Sequence, residues 1–492
     1  MGRFYISTAI VYTNAPPHIG FALELVQADV IARYRRQMGD EVYFLTGTDE
    51  HGTKIARSAE QNGQKPQDFV DGIARQVVSL ARGLGISNDD FIRTSDRERH
   101  WPSVQKIWKR LEESGDLYKK TYEGLYCVGH EAFIKPSELQ DGRCPIHKTE
   151  PERISEENWF FRLSKYRDRV KEAIESDRMR IVPSFRRQEI LNLLDDAEDV
   201  SFSRPSDQLS WGIPVPDDET QTMYVWADAL TNYISAPGYA DESEQFRAFW
   251  PADVHLIGKD ILRFHAMIWP AMLMSAGLEL PKAVYVHGFI TVEGEKMSKS
   301  LGNVVDPDVL LERYGSEVAR FYLLRSIPST EDGDFSWDGL KARYESDLAN
   351  ALGNLVRRVS TLIESKMGGK ATYRRSLDKM VPELAGILDD VAYHEAMGQF
   401  RLHDALARTW EKVDNVNAYL NDKAPWKDDT GSSEEVLTVA AAMIGHVAWL
   451  LAPFMPGTAQ VIADTFGTAL GAWEDGTELV VKVGDPLFPR LS

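Results

Sequence analysis

Cysteine is nearly absent. The 492-residue chain has two, Cys127 and Cys144, too few for a disulfide framework, so a reducing compartment, the cytoplasm, is expected. No run of eighteen or so uninterrupted apolar residues stands out, so no membrane partner is expected. Basic charge is in deficit: 56 Lys and Arg stand against 75 Asp and Glu, a formal charge of −19. No global field therefore draws nucleic acid, and such a partner would need local basic patches. The chain runs directly into a strand-like segment, so no secretory leader is expected. Internal repeats and low-complexity tracts are missing too, and the length is room for two to four domains.

What is present begins with "RFYISTAIVY", β-branched and aromatic and so a buried strand. It is followed by "NAPPHIGFALELVQADVIARY", where Leu25, Ala28, Ile31 and Ala32 recur at helical spacing. His18 and Gly20 thus sit at a strand-to-helix junction. Two readings are open there. Pro-Pro makes a stiff turn and His18 caps the helix, or the helix mouth, with free N–H groups and a positive dipole end, holds a phosphate. The next strand, in "DEVYFLTGTDEHG", ends in Gly47, Asp49 and His51, where doubly wound sheets bind ligands.

Residues 1–117 alternate strand and helix patterns. Residues 118–222 break that pattern with short strands, turns and spaced Cys and His, and read as an insertion. The α/β pattern resumes over 223–290 with "VHLIGKDILRFHAMIWPAMLMSAG", and 291–344 begins in a Gly- and Lys-rich loop. From 345 the pattern is helical, with Leu348, Leu352, Leu355, Val359 and Leu362 as one apolar stripe and a capping box at Ser432 and Glu435. In the insertion, "CVGH" (Cys127 to His130) and "CPIH" (Cys144 to His147) have the ligand count and spacing of a tetrahedral structural zinc site. "KMSKS", Lys296 to Ser300, reads as a solvated basic loop. Alternatively its two lysines clamp a triphosphate and neutralise charge on departing pyrophosphate.

Taken with His18-Ile19-Gly20, "GKD" (Gly258 to Asp260), "YVWADALTNY" and "NDKAPW", this order of pieces resembles the class I aminoacyl-tRNA synthetases, and within them the methionine-activating branch. The likeness covers essentially the whole chain and departs from the usual first signature at Phe21, where the fourth residue is not histidine. It implies a Rossmann-type doubly wound parallel α/β sheet, split by a zinc-type connective insertion and followed by an α-helical anticodon-binding bundle. It implies ATP with Mg²⁺, methionine and the methionine tRNA as substrates. Catalytic roles fall to His18, Lys296 and Lys299. ATP contacts fall to His18, Gly20, Gly258, Asp260, Lys296 and Lys299. The methionine slot would use Ile10, Tyr12, Trp226, Tyr233, Ile261, Phe264 and His265, with Asp49 on the ammonium group. Tyr233 and His265 would turn polar edges to the sulfur, which accepts hydrogen bonds weakly.

In the helical part, Asn354 and Arg358 share a helix face, and with Pro425 and Trp426 they would read the anticodon by hydrogen bonding and stacking. The chain ends at "LFPRLS" with no further basic module, so a monomer is expected. Leucine, isoleucine and valine enzymes of the class would need a far larger insertion, and a cysteine enzyme would carry metal ligands in its catalytic pocket. A nucleotidyltransferase relative would lack the helical region. A non-enzymatic RNA-binding relative would not need His18, Lys296 and Lys299.

Overall fold

The apolar N-terminal run becomes the centre of a parallel sheet. β1 (Arg3–Thr8) is buried from Phe4 onward. β2 (Val11–Tyr12), β3 (Glu41–Asp49), β4 (Asp90–Arg93), β5 (Arg180–Val182), β6 (Val254–Gly258) and β7 (Ala283–His287) complete it. The structure is a computed structural model that describes residues 2–130, 132–297, 303–374, 388–427, 432–471 and 473–490. The chain forms two units, residues 1–28, 39–82 and 86–287 in the first, and 29–38, 83–85 and 288–492 in the second.

In the first unit all seven strands pair in parallel. Ile6 of β1 faces Phe44 of β3 on one side and Val254 of β6 on the other, so the connections diverge at β1. A crevice at the carboxyl ends of β1 and β6 follows from that divergence, and it is where such sheets bind ligands. Strands buried on both faces read as continuous apolar runs, as "VYFL" and "VHLI" do here. Trp108 and Trp269 are among the largest side chains completely enclosed by the core.

The expected insertion, 118–222, is not separate throughout. Its β5 pairs with β7 at the sheet edge. Phe161, Val170, Ile174, Ile190 and Phe202 join the same apolar core as the central sheet. What stands apart is an antiparallel sheet led by Leu117–Cys127 and Glu152–Phe161. The small cluster of Cys127, Ile134 and Cys144 lies at one end of that sheet. A three-residue strand between Met179 and Pro183 carries too little periodicity to be read locally. Its place comes from pairing with a strand about a hundred residues later.

The second unit holds a three-stranded sheet with Glu295–Lys296 at one edge and long helices Pro307–Ser326, Asn354–Met367, Leu402–Lys423 and Ser432–Leu451. Leu348, Leu352, Leu355 and Val359 are buried as the stripe requires. Leu362 is only half-buried, because the helix turns it toward a surface groove. At the centre of this unit the guanidinium of Arg320, fully enclosed, meets Asp29 at 2.7 Å. It also donates to the carbonyls of Leu84, Pro453 and Phe454, so the buried charge is paired and its donors are used. Although Glu434, Glu435 and His446 interrupt it, Ser433–Leu451 reaches a mean hydropathy of 1.4 over a length that would cross a bilayer. That window is 67% buried within the protein, as a core helix is.

Candidate active site and metal centre

After β2 the chain turns through Pro16 and Pro17 into the helix Ile19–Gln37. His18 lies at its mouth with an exposed edge. The backbone N–H of Gly20 donates to His18 Nδ1 at 3.1 Å. An N–H can only donate, so Nδ1 is the acceptor and the proton of the neutral ring sits on Nε2. Crowding by protein lowers the His18 pKa, partly opposed by Asp260, so the neutral form is favoured. A Cβ on residue 20 would stand 2.9 Å from His18 Cε1, so only glycine leaves room for this ring position. Gly258 ends β6, and a Cβ there would meet Asp260 Oδ1 at 2.9 Å and His287 Nε2 at 3.6 Å. His287 Nε2 is 2.9 Å from Glu24 Oε2, and burial raises the Glu24 pKa. The four first-unit residues expected at ATP, His18, Gly20, Gly258 and Asp260, therefore cluster, with Glu24 and His287 beside them.

Asp49 ends β3 in register with Tyr12 of β2 and is 7% exposed. Trp226 and Phe264 stack at 3.7 Å, interplanar 5°, and His265 meets Trp226 edge-on at 6.2 Å. Ile10, Tyr12, Trp226 and Ile261 are half-buried against the core that contains Tyr233 and Phe264. Inside this slot His265 Nδ1 lies 3.0 Å from the carbonyl of Ile261, which can only accept, so Nδ1 carries the proton. Nε2 then accepts the Tyr233 hydroxyl at 2.6 Å. Burial pushes the His265 pKa down to about 4. Burial, with the charges of Glu24 and Asp49, holds the Tyr233 phenol protonated. The polar edges expected to face a ligand sulfur are instead turned on each other. The result is an apolar aromatic cluster that contains a neutral hydrogen-bonded pair.

In the second unit, the backbone of Lys296 pairs with Thr291. Lys299 lies outside the described residues. Asn354, Arg358 and Trp426 line one shallow groove of about 280 Å³ with Arg357, Thr361 and Leu362. The Arg358 guanidinium lies 4.1 Å from the Trp426 ring centre and donates to Asn421 Oδ1. Pro425 is buried and does not line the groove.

The Cys-x-x-His pairs converge. The ligand atoms of Cys127, His130, Cys144 and His147 all lie within 4.8 Å of one another. Cys144 Sγ is 3.6 Å from His130 Nδ1 and 3.5 Å from His147 Nδ1, and Cys127 Sγ is 3.7 Å from His147 Nδ1. Zinc bond lengths of about 2.3 Å to sulfur and 2.0–2.1 Å to nitrogen give a tetrahedral S···N edge of about 3.6 Å. The donor set fits that ion in both chemistry and spacing. A Cβ at Gly129 would stand 2.3 Å from the His147 ring, so glycine there admits the fourth ligand.

Sequence reasoning missed Asp228, whose carboxylate takes His51 and His100, and the Glu24–His287 pair. Only "DEHG" signalled either, by placing His51 beside a strand end.

Comparison with known proteins joins these parts. Residues 4–137 and 131–360 match the family model described as tRNA synthetases class I (M), which is the class that the sheet and its helix-mouth site define. The methionine–tRNA ligase of Thermotoga maritima is 45% identical over 94% of this chain and 74% of its own length. That of Brucella suis is 43% identical over 99% of this chain and 98% of its own. The structure of Mycobacterium tuberculosis methionyl-tRNA synthetase in complex with methionyl-adenylate superposes with a TM-score of 0.93 at 37% identity, covering all of both chains. This chain belongs to the methionine–tRNA ligase family.

Proposed function

We propose that this chain activates methionine with ATP to methionyl-adenylate and pyrophosphate, then transfers the methionyl group to the 3′ end of the methionine tRNA. The observation that carries this reading is the apolar Trp226–Phe264–Tyr233–His265 cluster, with Asp49 at the carboxyl end of β3 near enough for its charge to act on Tyr233. An unbranched, flexible thioether fits an aromatic slot that offers no charge, and Asp49 supplies the anion its ammonium group needs. Because the Tyr233 hydroxyl donates its hydrogen bond to His265, the slot favours an apolar chain over one that demands a hydrogen-bond partner.

ATP arrives as its Mg²⁺ complex, so that metal belongs to the substrate. The methionine carboxylate attacks the α-phosphorus in line as the bond to pyrophosphate breaks, and no protein nucleophile is needed. His18 Nε2–H points its proton at the charge developing on phosphate oxygens, and the positive end of the helix dipole adds to it, while Gly20, whose own N–H is given to His18, leaves room for the ring. Gly258 and Asp260 bind the adenosine side, and Lys296 and Lys299 neutralise the departing pyrophosphate. The tRNA terminal hydroxyl then displaces AMP.

The Cys127, His130, Cys144 and His147 cluster holds a structural zinc, which supplies rigidity to the sheet that carries it. The helical region from 345 reads the anticodon of initiator and elongator tRNA through Asn354, Arg358 and Trp426, with Pro425 fixing the chain beneath. Residues 1–117 and 223–290 form the catalytic domain, 118–222 the insertion and 291–344 the KMSKS and stem-contact region. The enzyme acts as a cytoplasmic monomer. Amino-acid-dependent pyrophosphate exchange tests the assignment. Exchange with methionine and little with leucine or valine is expected, and equal exchange with a branched amino acid would remove it.

A further inference from the structure

Asp228 is 1% exposed, in a cluster that the proposed chemistry does not use. Its two carboxylate oxygens take one imidazole each. His51 Nδ1 lies 2.6 Å from Oδ2, and His100 Nε2 lies 2.7 Å from Oδ1. A carboxylate only accepts, so both facing nitrogens carry protons. The other nitrogen of His100 contacts Ser235 Oγ at 2.7 Å. Both rings are themselves buried, at 2% and 0%. Burial alone would raise the Asp228 pKa, but the two imidazoles reverse that and keep it ionised.

The places these residues occupy matter more than their charges. Asp228 stands two residues after Trp226 on the short helix Val225–Ala229. His51 stands two residues after Asp49, past the end of β3. His100 immediately precedes the helix Trp101–Glu113. The end of β3 is held by its ladder partners, whereas a five-residue helix has too few internal hydrogen bonds to fix its own orientation. Stability does not require a buried ionic cluster, since well-packed apolar residues are often as stable or more so. Two charge-assisted bonds from one carboxylate do fix direction and distance between the elements that carry them.

We propose that Asp228 is a positioning residue for the methionine slot, its two-imidazole clamp holding the helix that carries Trp226 against the strand end that carries Asp49. This rests on the reading of Asp49 and Trp226 as methionine contacts. Asp228→Ala removes both bonds. Asp228→Asn keeps the volume and one acceptor, but turns an N–H₂ toward the other imidazole unless that ring moves its proton. His100→Gln keeps a donor.

Pyrophosphate exchange on the full chain, with methionine and ATP varied separately, reads the clamp. In Asp228→Ala the methionine KM should rise about tenfold to a hundredfold, the usual consequence of a slot displaced by about 1 Å, with the ATP KM within about twofold. Asp228→Asn and His100→Gln should fall between it and the parent. If Asp228→Ala does not fold, the same contrast is read from Asp228→Asn. A lower kcat with both KM values unchanged would mean fewer folded molecules and a purely structural role. Equal rises in both KM values would mean general loosening. Either result overturns the proposal. Asp49→Asn serves as the reference: if it leaves the methionine KM unchanged, the slot assignment itself fails, whatever Asp228 does.

Discussion

His265 should make the enzyme sensitive to acid well above the range where carboxylates titrate. Its ring is 2% exposed, and burial holds its pKa at about 4 against 6.5 in the open chain. Between these values the unfolded state binds the proton and the folded state refuses it, so stability rises with pH through this window and falls as pH drops. For one such group the loss between about pH 7.5 and about pH 5 is about 2 kcal/mol. Two neighbours titrate nearby with opposite signs. His255, stacked 4.0 Å from Tyr233, is also depressed by burial and adds to the loss. Glu24 is raised by burial, so its folded form takes up a proton first and opposes the loss.

A substitution separates His265 from both. In His265→Gln the amide carbonyl can accept the Tyr233 hydroxyl and the amide N–H₂ can donate to Ile261, and nothing titrates. Urea unfolding followed by tryptophan fluorescence, compared at the first transition, should show the parent losing about 2 kcal/mol more than the variant over this interval. The methionine KM of the parent should also rise in acid, because a protonated Nε2 can no longer accept the Tyr233 hydroxyl. Identical pH dependence in the two proteins would refute the buried neutral pair.

Three other outcomes are expected. Elemental analysis should find about one zinc per chain, lost in Cys144→Ala with greater protease sensitivity of residues 118–158, and metal-free protein of full activity would make the cluster a relic. Trp426→Ala should weaken tRNA charging by about 1–3 kcal/mol, the worth of base stacking on an aromatic ring, with pyrophosphate exchange unchanged; a joint fall would make Trp426 a packing residue. His18→Ala should slow adenylate formation, measured before steady state, by about 10²–10³ with little change in ATP affinity, since it removes one donor aimed at developing charge. A normal rate with weak ATP binding would return His18 to the role of a cap.

Local sequence was informative wherever chemistry is carried by neighbours in the chain. Pro-Pro-His-Ile-Gly after a β-branched run marks a strand-to-helix mouth because proline, glycine and the change of period each constrain the backbone there. The Cys-x-x-His pairs announce themselves because four ligands lie within 21 residues. Long-range pairing leaves no such trace. Asp228 reaches His51 across 177 residues and His100 across 128, and nothing in "YVWADAL" separates a buried carboxylate from a solvated one. β5 is three residues long and owes its place to β7. Leu362 kept the helical period of the apolar stripe yet turned to a groove, since periodicity gives a face and not what covers it.

The two imidazoles assigned to the first unit's chemistry need opposite faces, and the backbone sets both. At His18 a backbone donor, the N–H of Gly20, occupies Nδ1 and leaves the proton outward on Nε2. At His265 a backbone acceptor, the carbonyl of Ile261, occupies Nδ1 and leaves a lone pair inward on Nε2. Crowding lowers both pKa values, so each ring stays in the neutral form in which the backbone partner selects one tautomer. The glycine at position 20 therefore does more than the proposed admission of a phosphate. Its N–H chooses the tautomer and its missing Cβ makes room for the ring. An imidazole proposed to donate to a phosphate and one that accepts from a phenol are the same side chain, distinguished by the polarity of a single backbone group about 3 Å away.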